Sequence, residues 1–153
     1  MTILYLTPSH VDYLSDQIYT GLCNILGWES VVDYPYKRYY HDPHQKMPFI
    51  PQNPGRMYQF DEIVALLDRR EFDFVVVSAI RKEPLEAIEL LFNKCSLPPL
   101  VLLDGDDGTQ IKADLFRRYE FALYFKREYP DYEDGRLGRR WAGLVRGWLD
   151  RDL

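Results

Sequence analysis

Apolar and polar positions along the chain fall into two alternating rhythms. Short apolar runs at Ile3–Thr7, Glu29–Tyr34, Phe72–Ser78, Leu100–Leu103 and Phe121–Phe125 have the length of strands. The run Phe74-Val75-Val76-Val77 is continuous enough to be buried on both faces. Between these runs, apolar residues recur every three or four positions. They do so at Val11, Leu14, Ile18, Leu22, Ile25 and Leu26; at Phe60, Ile63, Val64 and Leu67; at Leu85, Ile88, Leu91, Phe92 and Cys95; and at Ile111 with Leu115. That spacing predicts helices. The punctuation agrees with it. Gly27 is placed to end the first helix, and Asp61 or a neighbour to open the second. Pro84 falls near the first turn of the third, where a missing N–H costs nothing, and Thr109 stands where it can cap the fourth.

Strands that alternate with helices imply a parallel sheet joined by right-handed crossovers. The chain therefore reads as α/β, a single doubly wound, five-stranded parallel sheet of Rossmann or flavodoxin-like type over residues 1–130, in the order 2-1-3-4-5 or 3-2-1-4-5. One segment breaks the alternation. Residues 35–57 carry Pro35, Pro43, Pro48, Pro51 and Pro54 without periodicity, and are expected to form a long irregular loop. Residues 131–153 form a second distinct stretch, a polar linker followed by Trp141, Leu144, Val145, Trp148 and Leu149 on one helical stripe, with Arg139, Arg140, Arg146 and Asp150 facing away. This C-terminal amphipathic helix has two readings: it packs on its own domain, or it presents Trp141, Leu144, Val145 and Trp148 to a second copy or a catalytic partner.

At 46% hydrophobic and 28% charged, the composition is that of a folded globular domain. No apolar run reaches the length of a transmembrane helix, so no membrane insertion is expected. Met1–Leu6 has no basic segment ahead of its apolar residues and reads as a first strand rather than a signal peptide. Cys23 and Cys95 sit on apolar helix faces and are expected to be buried thiols, which with the rest points to the cytoplasm. A net charge of −5 argues against a general nucleic-acid binder, despite local basic clusters at Lys37-Arg38, Arg117-Arg118, Lys126-Arg127 and Arg136 to Arg146.

The densest chemistry lies where the fourth strand ends, in Asp104-Gly105-Asp106-Asp107-Gly108-Thr109. Open α/β sheets bind ligands at the carboxyl edge of their strands. The acids have three candidate roles: complementing a helix N-terminus, holding a hard cation, and accepting from ligand hydroxyls. An EF-hand is excluded because Leu115 stands where the closing Glu belongs. The phosphatases of the haloacid-dehalogenase type are excluded too: one residue too many separates Asp106 from Gly108-Thr109, and too little chain follows. A phosphoacceptor receiver would need acids after the first strand and an acceptor Asp after the third, where this chain has Thr7-Pro8 and Ser78-Ala79. No metal site is therefore assigned.

The neighbouring exits supply the remaining candidates. Lys126 and Arg127 leave the fifth strand beside the acids, and an ion pair of Asp104 with Lys126 is expected. Thr7, Ser9 and His10 follow the first strand, and Ser78 and Arg81 the third, so all are candidate ligand contacts with Asp104, Asp106, Asp107, Lys126 and Arg127. His10 is placed to polarise a bound hydroxyl. Tyr34 to His44 interleaves aromatic and basic residues, which suits stacking on bases or sugars. It equally suits packing on the domain with the hydroxyls reaching water. His41 and His44 give only a weak metal signal. The chain has no nucleophile elbow, P-loop or G-x-G-x-x-G motif, and Gly105–Gly108 is too short and too acidic to cradle a pyrophosphate.

Several of these pieces form an ordered set. Asp12-Tyr13-Leu14-Ser15-Asp16, Gly21-Leu22, Gly27, Val31-Val32-Asp33-Tyr34-Pro35, Phe72-Asp73-Phe74-Val75-Val76, Leu103-Asp104-Gly105-Asp106-Asp107 and Tyr124-Phe125-Lys126-Arg127-Glu128 together resemble the N-terminal domain of bacterial glycosyltransferase-like proteins. These are related to the two-domain GT-B enzymes of surface-polysaccharide clusters. Asp106 takes the place of a Glu in their loop, and Ser78-Ala79-Ile80-Arg81 replaces small residues after the third strand. The resemblance implies the acceptor-side half of such an enzyme. It would bind a sugar or nucleotide-like ligand or dock a catalytic partner, and would not be a complete transferase alone, since this sequence stops at Leu153 without the donor-binding half. Asp104 and Asp107 would then bind hydroxyls, Lys126 and Arg127 would hold phosphate or pair with the acids, His10 would be the base candidate, and Asp104 the other catalytic candidate. No cofactor is firmly implied; a nucleotide-sugar or a divalent cation is left open. The alternative is a non-catalytic interaction or regulatory domain with a receiver-like α/β fold that self-associates through the Trp141/Trp148 helix.

Overall fold

The protein is described by a computed structural model that covers residues 1–42, 44, 55–108 and 110–127. The strands are β1 (Ile3–Leu6), β2 (Val31–Tyr34), β3 (Phe74–Val77), β4 (Leu100–Asp104) and β5 (Leu123–Lys126). They form one all-parallel sheet in the order β2-β1-β3-β4-β5, the first of the two arrangements expected. The helices are α1 (Tyr13–Leu26), α2 (Phe60–Asp68), α3 (Lys82–Phe92) and α4 (Ala113–Tyr119).

Because side chains alternate across a strand, the sheet sorts its apolar residues into two layers. Leu4, Leu6, Val75, Val77, Leu100 and Leu102 pack on the side of α2, α3 and α4, against Ile63, Leu67, Ile88, Leu91 and Tyr119. Ile3, Tyr5, Val31, Val76, Val101 and Leu103 face the other way, toward Tyr19 and Cys23 of α1. β1 is buried along its whole length because it has a strand on each side and a helix on each face.

Local chemistry fixes the ends of the elements. α1 starts at Asp12, whose carboxylate accepts the Ser15 N–H at 3.0 Å while Asp16 accepts the Asp12 N–H at 3.1 Å. It ends at Gly27, with φ at +86° and ψ at 144°, a conformation that only glycine adopts without strain. That turn sets up a 3-10 turn at Trp28–Ser30, so β2 begins at Val31 rather than at Glu29. α2 opens at Gln59, whose N–H is held by Glu62 at 2.9 Å, rather than at Asp61. β5 begins two residues later than the apolar run suggests, with Phe121 buried ahead of it.

Two readings of the helix faces need correcting. Ile25 is 81% exposed and Val11 precedes the helix, so the buried stripe of α1 is narrower than its apolar spacing. Cys95 lies past the end of α3 and is only half-buried, whereas Cys23 is buried; both are free thiols. Thr109 and the stripe of Trp141, Leu144, Val145 and Trp148 lie outside the described residues. Among the described residues, no helix is long and apolar enough to cross a membrane.

Candidate functional site

Four strand exits meet at the carboxyl edge of the sheet. β1 runs out to Thr7 and His10, β3 to Ser78 and Arg81, β4 to Gly105, Asp106 and Asp107, and β5 to Arg127. With the first turn of α1 they enclose a cleft of about 500 Å³, lined by His10, Asp12, Arg81, Asp106, Asp107 and Arg127 among others. Gly105 lets the β4 exit pass close to α1, since a Cβ there would lie 3.1 Å from Leu14 Cδ2.

The cleft is a lattice of opposed charges. Arg81 Nη1 donates to Asp106 Oδ1 at 3.1 Å, and its Nε lies 3.9 Å from Asp12 Oδ2. Lys112 Nζ sits 3.1 Å from the other Asp106 oxygen, and Arg127 pairs with Asp107. The hydrogen bond from Lys112, followed by the charges of Lys112 and Arg81, holds the Asp106 carboxyl below the usual carboxylate range. Most of these side chains are partly open to water, with Arg81 and Arg127 each 44% exposed.

Asp104 plays a different part from its neighbours. It is fully buried, and its carboxylate accepts from the Tyr124 hydroxyl, from the Asp106 N–H at 3.0 Å and from Lys126 Nζ at 3.2 Å. The register explains the pair, since Asp104 and Lys126 are direct partners across β4 and β5. Lys126 also donates to the Asp106 carbonyl at 2.9 Å. Burial, and then the bond to Asp104, pushes the Tyr124 hydroxyl well above its ordinary range, so it remains a donor. Asp104 thus aims inward and fixes the loop that carries Asp106 and Asp107.

Thr7 and Ser78 are also enclosed rather than presented to the cleft. Ser78 Oγ meets Ser15 Oγ at 2.7 Å, and Thr7 Oγ1 meets the Tyr40 hydroxyl at 3.2 Å. Ser9 stands outside this group and donates to Glu83 at 2.8 Å. The site therefore brings His10, Arg81, Asp106, Asp107 and Arg127 together, sets Asp104 and Lys126 beneath them, and leaves Thr7, Ser9 and Ser78 in other contacts.

The tyrosine-rich loop turns out to be tied down. Tyr40 is fully buried, stacks on Tyr19 at 3.8 Å between ring centroids, and donates its hydroxyl to Asp16 at 2.8 Å, so the hydroxyl does not reach water. Lys37 Nζ, equally buried, lies 2.5 Å from the same carboxylate. Asp33 accepts the Lys37 N–H at 2.7 Å and bonds His41 Nε2 at 2.9 Å, while His41 stacks on Tyr36. His41 is thus committed to Asp33, and among the described residues no group of His, Cys, Asp or Glu has the clustering to hold a metal ion. The Asp16–Lys37 pair was not foreseen from the sequence. Its signal was there, because Asp16 shares a helical stripe with Tyr19 and Cys23, all three buried.

No protein-family model matches the chain, and no match is found among curated proteins or solved structures.

Proposed function

We propose that this chain is a glycosyltransferase-related Rossmann domain, equivalent to the acceptor-side half of a two-domain enzyme, whose edge cleft takes a sugar or nucleotide-like ligand. The observation that carries this reading is the cleft itself. Its guanidinium groups and carboxylates pair with one another above a frame of buried bonds and stay partly wet. Hydroxyl-rich ligands need such alternating donors and acceptors. The motifs of the resemblance support the reading further, because Asp12, Asp106–Asp107 and Arg127, far apart in sequence, line one cavity. In this role Arg81 and Arg127 bind phosphate or hydroxyl oxygens, Asp106 and Asp107 accept from hydroxyls, and His10 is the candidate base. Asp104 and Lys126 position the acidic loop without touching the ligand.

Thermal shift against nucleotide-sugars, free nucleotides and simple glycans, with and without Mg²⁺, tests the proposal. A ligand at 100 times its Kd adds about 2.7 kcal/mol, a rise on the order of 5–10 °C for a domain of this size. The shift should vanish in Arg81→Ala. A panel without any shift overturns the ligand reading.

A further inference from the structure

The two faces of the sheet are covered unequally. On one, α2, α3 and α4 reach across to β5, where Phe116 of α4 packs beside Tyr124. On the other, among the described residues, α1 is the only α-helix over the sheet, with Tyr40 beside it, and beyond α1 the side chains of β5 are exposed while Val76, Val101 and Leu103 form a buried floor. Leu123 and Phe125 of β5 are 44% and 56% exposed there, and they stand directly across from Val101 and Leu103 of β4. Together with Leu14 and Ile18 of α1 they line a groove of about 440 Å³ whose walls are apolar, apart from Lys126 and Arg127 at one end.

The dimensions of this groove select its occupant. The groove reaches from Phe74 and Val76 of β3 to Leu123 and Phe125 of β5, two strand spacings or roughly 10 Å, the width of one packed helix. Its strands of four or five residues are about 13–17 Å long. The stripe from Trp141 to Leu149 would span about 12 Å as a helix. The described chain ends at Arg127, which itself lines the groove, so the following segment sets out from its rim. A tethered segment also has a high effective concentration. A strip one helix wide falls short of the roughly 1,200 Å² that a stable interface between separate chains buries.

We propose that residues 141–149 of the same chain dock along this groove, placing Trp141, Leu144, Val145 and Trp148 against Leu103, Leu123 and Phe125. The arginines of the opposite face, Arg139, Arg140 and Arg146, then point to water. The inference rests on the sheet and not on any ligand of the edge cleft.

A double-mutant cycle in the full chain tests it, with Phe125→Ala and Trp148→Ala read by urea unfolding, tryptophan emission and solution mass. Docking within the chain gives a monomer in which each single change lowers the unfolding midpoint. The effect of Phe125→Ala is at least halved when Trp148 is already Ala. Emission shifts to the red in Phe125→Ala at every protein concentration. Phe125→Leu and Leu123→Ala give the same readout in milder form if Phe125→Ala does not fold. Full additivity overturns the proposal, as does emission that Phe125 substitutions leave unmoved. A coupling that is lost on dilution together with a dimeric mass also overturns it, because the occupant is then a second copy.

Discussion

Two sets of paired charges lie within one small domain, and they differ in almost everything except their residue types. Asp16, Lys37 and Tyr40 are sealed beneath the β1–β2 side of the sheet, with Lys37 and Tyr40 almost fully removed from water. Asp106, Asp107, Arg81, Lys112 and Arg127 make equally direct pairs around the β4 exit, but in water. The difference teaches where chemistry is to be sought. A sealed pair must be matched bond for bond, because an unmatched buried charge is very costly, so it serves as frame. A wet pair is held loosely, worth about 0–1 kcal/mol, and its members can be turned toward a ligand at little cost.

Breaking the sealed set should give the largest effects. Lys37→Met leaves Asp16 buried without its cation and is expected to cost about 3–5 kcal/mol, roughly 10 °C in Tm, measured by calorimetry. Asp104→Asn removes the charge that holds Lys126 and Tyr124, and should cost about 2–3 kcal/mol. It should lower stability before it weakens ligand binding; lost binding at an unchanged Tm would move Asp104 from frame to site. Tyr40→Phe deletes one buried hydroxyl and should cost about 1–2 kcal/mol. Asp106→Asn should fall below about 1 kcal/mol while abolishing any ligand-induced thermal shift.

Titration separates the two sets by the sign of their response. Asp106 is held below the usual carboxylate range, so its contribution is complete above about pH 4 and is lost as the pH falls through that range and below. Burial, followed by the neighbouring Tyr5 and Asp16, pushes the Tyr40 hydroxyl up, and burial does the same for Tyr5 and Tyr19. Their contribution is complete below the ordinary tyrosine value of about 10 and is lost as the pH rises above it. Asp106→Asn should therefore flatten the acid limb of a stability–pH curve. Salt at about 1 M should weaken the wet set and spare the sealed one.

The strands and helices were legible because periods of two and of three to four survive in any sequence that buries one face of each element. The acidic loop and its Lys126 partner were legible for a related reason: adjacent parallel strands bring their exits together. The ends of β2 and β5 were not, since Gly27 bends the chain through a 3-10 turn and Phe121 is buried without joining the ladder. Nor was the fate of the tyrosine loop. Composition makes Tyr40 amphipathic, and only the meeting of residues from α1, the exit of β1 and the loop decides that its hydroxyl turns inward.

Thr2 and Asp73 clasp each other through both backbone and side chain, joining positions 71 residues apart. The chain between them carries β1, α1, β2 and α2, and this clasp closes it at its base beside the paired β1 and β3. Closure entropy grows only with the logarithm of length, so trimming a dozen residues from that stretch changes it by about 0.2 kcal/mol. The rate at which the chain finds its fold is more exposed, because the pairing of β1 with β3 must wait for this long contact. Shortening the sequence between Asp42 and Gly55 should therefore cost little stability, provided that Lys37 and Tyr40 keep their seats.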